Sequence, residues 1–538
     1  MDNILPRRGI PTAVQKSLRI LLCVAGLGLL FSFYTWGISQ NPRGFHLDES
    51  ATAYNAYLVS RTGAGEFGPR FPVMFQQYAV SSPTYMNPLA IYLLACTFRF
   101  LPPSIPVART FAAFWMFAAC LLLGALATRI SGQRKIGIIV AGSALLTPWL
   151  FEEGRLVFDA HLPAFTIVVF LLAAYSIQSK ETWSWRNIAM VAGSLALVTY
   201  GYFSGRALAP LYAFGLLFLA TTKRRLVGVV KIWFAYGVTL VPLLLFNRSH
   251  PGVLTKRLWE VTYIRSDVPW KELGSQFAEF VRCYLQDQSL TPLLMTGDGH
   301  WPHHVEGSGG AILFATFILA MAGLLLVIAR RWHEPWWRFV LYGLAVSILP
   351  GAITDWPFHQ PRLMGYAVFL LVLTVPALEW LLAPDEPKQR VSDTTDTTHH
   401  GEPDRAVVAS HGLPRGIRMS ILAVLLAATV AQAVDFQVIF WREGPKRYFA
   451  FDALYKPLYD VAVARPERPI YLENGQWGPA YMDAYWYATV EGRSISEFVR
   501  IAERAKPPSG AIVLSSNSDC QNCDVIKKSG AYELYRAK

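Results

Sequence analysis

The chain has 538 residues, 53% of them hydrophobic and 14% aromatic. Only 16% are charged and the mean hydropathy is +0.30, whereas a soluble globular protein carries about a quarter charged residues, so that class is excluded. The net charge of +12 does not point to nucleic acid, because Lys and Arg lie in short loops between apolar runs, the pattern of membrane-topology signals.

In chain order, Arg7, Arg8, Lys16 and Arg19 precede an apolar segment at 20–38. No small-x-small cleavage site follows it, which predicts a retained first span. Residues 39–87 are polar and aromatic with Gly and Pro breaks, and they contain Phe45-His46-Leu47-Asp48-Glu49-Ser50. From Asp48 to about Ser60 the composition predicts a short helix with Tyr54, Tyr57 and Leu58 on its apolar side. The next apolar run, 88–101, falls short of the roughly 18 residues a span needs and reads as an interfacial or re-entrant helix.

Charge parity decides that point. With 88–101 left out, spans are predicted at 20–38, 105–128, 136–150, 162–178, 187–202, 207–222, 227–246, 311–329, 339–354, 363–382 and 417–440. The clusters Arg129/Arg134/Lys135, Lys180/Arg186, Lys223/Arg224/Arg225 and Arg330/Arg331/Arg338 then share one side with the N-terminus. Basic loops belong on the cytoplasmic side. The expectation is therefore eleven spans, with a cytoplasmic N-terminus and an extracytoplasmic C-terminus.

The stretch 384–416 is polar and reads as a disordered cytoplasmic linker, with solvated His399 and His400. Residues 441–538 form a soluble tail. Strands are predicted at 470–473, 511–515 and 532–535 and helices at 479–490 and 494–505, an α/β pattern. Cys520-Gln-Asn-Cys523 in an oxidising compartment reads as a disulfide in a tight loop, with free thiols the alternative.

The outer loops then hold Asp48-Glu49, Glu152-Glu153-Gly-Arg155 with Asp159, Tyr202 to Arg206, Asp298 with His300, His303 and His304, and Asp355 to Arg362. Carboxylates and arginines thus gather at one membrane edge, with aromatics between them. That clustering suits a ligand with a phosphate head and an apolar tail. Arg binds phosphate through two parallel bonds and stays charged in poorly hydrated surroundings, and a carboxylate beside it can take a proton from an attacking hydroxyl. A sugar phosphate leaves as an anion, so one base and a phosphate clamp suffice for inverting glycosyl transfer.

Several motifs run in order through residues 40–370: Asp48-Glu49 after the first span, Asn87-Pro88-Leu-Ala-Ile-Tyr, Arg109, Glu153-Gly-Arg155-Leu-Val-Phe-Asp159, Tyr202 to Arg206, Gly297-Asp298 with His303-His304, and Pro361-Arg362-Leu-Met-Gly-Tyr. The series resembles the GT-C superfamily of integral-membrane glycosyltransferases, in the branch of protein O-mannosyltransferases and lipid A aminoarabinose transferases. The resemblance implies a mainly α, polytopic bundle with juxtamembrane helices in the first outer loop, in a bacterial-type plasma membrane. It also implies a polyprenyl-phosphate-linked sugar donor and an extracytoplasmic acceptor. By that match Asp48 is the general base and Glu49 its partner, orienting it or contacting the acceptor. Arg155 and Asp159 match a pair near the donor, Arg206 and Arg362 are phosphate candidates, and Tyr202, His303 and His304 complete the substrate-binding set. Asn87 departs from the pattern, standing where the two branches carry Lys or His. That argues against lipid A as the acceptor.

The expected domains are a transmembrane catalytic domain at 1–383, the linker, a last span at 417–440, and an extracytoplasmic α/β domain at 441–538. A divalent metal held by Asp48 and Glu49 with His303 or His304 is a possible cofactor, though no close-spaced ligand motif marks it. The partners implied are the donor, the acceptor and membrane lipid. The alternatives are a transporter or flippase of a lipid-linked or anionic substrate, a glycan polymerase or ligase, and a membrane scaffold. A transporter predicts charge at mid-membrane or repeated broken helices, and the predicted spans show neither.

Overall fold

The computed structural model describes residues 12–79, 83–265, 269, 272–385, 413–475, 478–517, 519–520 and 523–538. Arg7, Arg8 and most of the 384–416 stretch, His399 and His400 included, lie outside them. The chain opens with α1 (Thr12–Tyr34), α2 (Leu47–Thr62), the antiparallel pair β1 (Phe75–Gln76) and β2 (Tyr85–Met86), and α3 (Pro88–Phe100). Next come α4 (Ile105–Ser131), α5 (Arg134–Leu146), α6 (Pro148–Glu153), α7 (Pro163–Gln178), α8 (Trp185–Gly201), α9 (Gly205–Gly215) and α10 (Lys223–Ser249). They are followed by α11 (Val253–Val261), α12 (Leu273–Gln286), α13 (Phe314–Leu326), α14 (Pro335–Val346), α15 (Leu349–Ala352), α16 (Met364–Leu382) and α17 (Arg415–Glu443).

Each expected span carries a helix. Among the described residues, six helical stretches are long and apolar enough to cross a membrane by themselves: Ile105–Ser131, Asp159–Gln178, Lys223–Ser249, Phe314–Arg331, Met364–Leu382 and Arg415–Phe449. Others are shorter because the chain breaks them. Pro148 starts α6 after a break at Thr147, and Pro350 sits in the separate turn α15. The central element is α16, buried along nearly its whole length and packed against α4, α5, α7, α13, α14 and α17. Gly323 on α13 allows the closest of these approaches, since a Cβ there would meet the Leu373 carbonyl oxygen at 1.7 Å. By contrast, α1, α10 and α17 leave apolar side chains such as Leu22, Phe234, Leu245 and Val424 exposed. So extensive an apolar exterior suits hydrocarbon, not water.

The two ends of the bundle differ. At one end the basic loops meet, with Arg225 donating to the Lys180 carbonyl (3.0 Å) and Tyr175 to that of Arg129 (3.1 Å). At the other end α2 and α3 pack on each other and share a core with the C-terminal domain. Phe45 stacks on Trp486 at 5.2 Å within it. The predicted non-spanning status of 88–101 accords with this placement.

The C-terminal domain comprises α18 (Lys456–Val463), β3 (Ile470–Glu473), α19 (Tyr481–Glu491), β4 (Phe498–Ile501), β5 (Ile512–Ser515), β6 (Cys523–Ser529) and β7 (Tyr532–Ala537). Its sheet runs β4-β3-β5-β7-β6, parallel around β3 and antiparallel beyond β5. One expectation fails here: 494–505 is not a helix but a 3₁₀ turn (Ile495–Glu497) and then β4. Val499 and Ile501 are β-branched, and pairing with buried β3 outweighs the charged helical pattern. Strand β6 was not expected either, because it is a polar edge whose Lys527 and Lys528 keep it from pairing further. Cys520 and Cys523 are disulfide-bonded.

Candidate active site

The site is organised by the first turn of α2. His46 is extended and caps the helix, its Nδ1 accepting from the Asp48 N–H (3.0 Å), while Glu49 Oε2 accepts from the His46 N–H (3.0 Å). This is a reciprocal capping box with His in place of Ser or Thr. Glu49 also binds Arg109 through two bonds (2.9 and 2.6 Å) and accepts from the Val157 N–H (3.0 Å). Arg109, in the first turns of α4, donates further to the carbonyls of Pro42 (2.6 Å) and Gly44 (2.9 Å). Both members of the pair are fully buried. Glu49 therefore locks α2 onto the bundle and does not reach solvent, which among its two expected roles favours orienting Asp48 over contacting an acceptor.

Asp48, one residue earlier, faces a cavity of about 230 Å³, its side chain 46% exposed. Its Oδ1 accepts from Gln77 Nε2 (2.6 Å) and from the Tyr78 hydroxyl. Among the described residues Oδ2 has no hydrogen-bonding partner, and His46 Nδ1 is 3.9 Å away. One oxygen is held and the other is not.

Asp159, from the 3₁₀ turn before α7, lines the same cavity, as do Tyr202, Arg257 and Arg362. Histidines form another part of the wall. Rings of His300 and His303 lie 5.0 Å apart, and His303 and His359 also 5.0 Å. Asp298 joins the two loops that carry them, accepting from the N–H groups of His300 and Gln360 (both 2.9 Å). Burial pushes His300 and His303 down to about 4 and holds His359 well below the ordinary imidazole range, so at neutral pH these imidazoles are uncharged. His303 Nδ1 is 2.9 Å from Glu153 Oε1, and burial together with neighbouring Glu152 raises the Glu153 carboxyl well above the ordinary carboxylate range.

A second space of about 320 Å³ adjoins the first, sharing Phe203 and Arg362 with it. It is an apolar groove lined by Leu240, Leu243, Leu244, Leu254 and Leu258, with Arg206 at its edge. Arg206 donates to Asn87 Oδ1 (2.5 and 3.2 Å) and Arg362 to Thr354 Oγ1 (2.8 Å). Where the resembled family places a cation, Asn87 thus anchors one.

The structure brings together Asp48, Asp159, Tyr202, His303 and Arg362 at the cavity, and Arg206 beside it. It does not bring Arg155 or His304 there. Arg155 is buried and donates to the carbonyls of Tyr34 (2.9 Å) and Trp36 (2.7 Å), so it caps the end of α1. His304 is enclosed between Glu152 Oε2 (2.6 Å) and the Gly309 carbonyl (2.9 Å). The metal set Asp48, Glu49 and His303 or His304 is not assembled, since Glu49 and His304 are committed elsewhere. Among the described residues no group of three or more His, Cys, Asp or Glu side chains is arranged to hold a metal ion. Sequence reasoning placed His46, His300 and His359 in the outer loops without giving them a site role, and it missed Arg257. The three histidines stand within or beside stretches already singled out, and Arg257 shares a helical face with Val261, another lining residue.

The helical bundle, its first-loop helices and the small C-terminal domain form the fold of a multi-pass membrane protein. No protein-family model and no curated protein matches the chain. Among solved structures, ArnT from Cupriavidus metallidurans bound to undecaprenyl phosphate is similar over 96% of this chain and 97% of its own, with TM-score 0.57 and 11% identity. The same protein in the apo state matches over 95% and 98%, with TM-score 0.52 and 11% identity. The archaeal oligosaccharyltransferase AglB from Archaeoglobus fulgidus, in complex with an inhibitory peptide and a dolichol-phosphate, covers 89% of this chain and 64% of its own at TM-score 0.47 and 11% identity, too distant to carry an argument.

Proposed function

We propose that this protein is a membrane glycosyltransferase that moves a monosaccharide, with inversion, from a polyprenyl-phosphate-linked donor to an extracytoplasmic acceptor. The observation that carries the reading is the continuity of two unlike spaces, a polar cavity holding Asp48 and an apolar groove, joined at Arg362 with Arg206 alongside. A sugar, a phosphate and a polyprenyl chain are joined in that order. The binding of undecaprenyl phosphate by ArnT, a protein of the same fold, supports the assignment.

The tail lies in the groove and the phosphate at its mouth, where Arg206, Arg257 and Arg362 supply charge-assisted bonds. The sugar occupies the cavity against the neutral imidazoles of His300, His303 and His359, which hydrogen-bond its hydroxyls without competing for the phosphate. Asp48 takes the proton of the acceptor hydroxyl. The acceptor oxygen then bonds to the anomeric carbon from the face opposite the phosphate, the carbon–oxygen bond to phosphate breaks, and the lipid phosphate leaves as an anion stabilised by the arginines. Glu49 holds α2 in place.

A flippase reading lacks support of this kind, because the cavity's titratable groups lie at one end of the bundle and not along it. The test is reconstitution of the full chain in liposomes with labelled polyprenyl-phosphate sugars and candidate acceptors on the cavity side. Transfer from such a donor is expected. Failure of every such donor to bind sinks the proposal.

A further inference from the structure

The C-terminal domain touches Asp48's surroundings at three points. Residues 444–455, between the last long helix and α18, pass beside the loop that carries His300 and His303. Arg447 donates to the Trp301 carbonyl (3.0 Å), steadying the histidine wall. The backbone then crosses the first outer loop at Gly44, whose φ is +91°, and a Cβ there would lie 2.1 Å from the Phe451 carbonyl oxygen. Next, Asp452 adopts a left-handed backbone (φ 48°), which a non-glycine residue takes up only when its surroundings hold it there.

That conformation delivers the Asp452 carboxylate to the start of α2. Its Oδ2 accepts from the Leu47 N–H (3.0 Å), the donor next to Asp48, and the Tyr532 hydroxyl donates to its other oxygen. Further round the same turn Ser50 Oγ donates to Asp483 Oδ1 (2.5 Å). On the far side of Asp48 the Tyr481 hydroxyl accepts from the Ala79 N–H (2.8 Å), and Ala79 directly follows Gln77 and Tyr78, which grip Asp48. The residue before Asp48, the turn after it and the loop that grips it each end on a side chain of the C-terminal domain.

We infer that Asp452 is a positioning residue for transfer: it fixes the first turn of α2 and so the place of Asp48 in the cavity, through which the C-terminal domain governs turnover and not donor binding. The inference rests on the reading of Asp48 as the base. A merely structural contact would move stability and every kinetic constant together, and positioning would move turnover alone.

The test uses the full chain in liposomes with a labelled polyprenyl-phosphate sugar that the wild type transfers. Asp452→Ala is expected to lower kcat roughly tenfold to a hundredfold, as small misplacements of a reacting group do, with donor KM unchanged within about twofold. Asp452→Asn offers a carbonyl oxygen to the Leu47 N–H and an amide to Tyr532, and is expected to keep kcat within about threefold of wild type. An unchanged kcat in Asp452→Ala, a loss carried by KM, or a loss that Asn does not rescue would each overturn the inference. If Asp452→Ala does not fold, Tyr481→Phe replaces it, with the same kcat-only loss expected and an unchanged kcat again decisive against. Wild-type protein that transfers from no donor defeats the transferase reading and this inference with it, whereas active wild type beside fully active Asp452→Ala defeats the inference alone.

Discussion

Replacing Glu49 by alanine separates holding from chemistry. In the folded protein Glu49 gives both oxygens to Arg109 and also accepts from the N–H groups of His46 and Val157. Glu49→Ala leaves the guanidinium buried with only carbonyl partners. Removing one member of a buried ion pair costs about 3–5 kcal/mol. Each of the two N–H groups left without an acceptor adds roughly 1–3 kcal/mol where water cannot reach it. The better helix propensity of alanine returns less than about 1 kcal/mol, so the balance is strongly destabilising. Asp48→Asn, at a half-exposed side chain with no ion pair closer than 3.9 Å, leaves stability near wild type. The assay is thermal unfolding of purified protein in detergent, with the amount of folded protein recovered as a second measure. Glu49→Ala that unfolds at the wild-type temperature yet transfers nothing would refute the reasoning and return Glu49 to contact with substrate.

Two further predictions follow from the same geometry. Arg362→Ala removes a charge-assisted contact worth about 1.5–3 kcal/mol and is expected to raise donor KM about tenfold to a hundredfold, with Arg362→Lys recovering only part, measured in the liposome transfer assay. At the interface between the first loop and the C-terminal domain, burial raises the Glu66 carboxyl to about 7 although Arg500 lies 2.8 Å away. A raised folded value means that the stability contribution is whole below the ordinary carboxylate range and is lost as pH rises through about 7. Melting curves are therefore expected to show Glu66→Gln matching wild type near pH 4 and exceeding it at pH 8, by up to about 3 kcal/mol.

Which loops share an end of the bundle was legible because Lys and Arg mark loop sides through their own solvation, independent of tertiary partners. Exclusion of 88–101 as a span followed from that parity and agrees with a short α3 packed on α2. The cavity was legible in part for the same reason: once loops are sorted by side, Asp48, Asp159, Tyr202, His303 and Arg362 must share one end. What the sequence could not separate was an arginine bound for a ligand from one bound for a helix end. Arg155 and Arg362 look alike in one dimension, and only the nearby carbonyls of Tyr34 and Trp36 decide Arg155's role. Glu49 and Asp48 are adjacent, yet the helical turn sends one inward to Arg109 and the other to the cavity. Strand β4 was misread because its stability comes from β3, distant in sequence, while its charges mimic a helical face.

The central claim is that Asp48 takes the proton of the attacking hydroxyl. Its most direct test is single-turnover transfer from a labelled polyprenyl-phosphate sugar by Asp48→Asn protein in liposomes, with donor binding and melting temperature measured on the same sample. The account predicts a loss of roughly a hundredfold or more in the transfer rate, with donor binding and folding retained. Wild-type transfer by Asp48→Asn would contradict it.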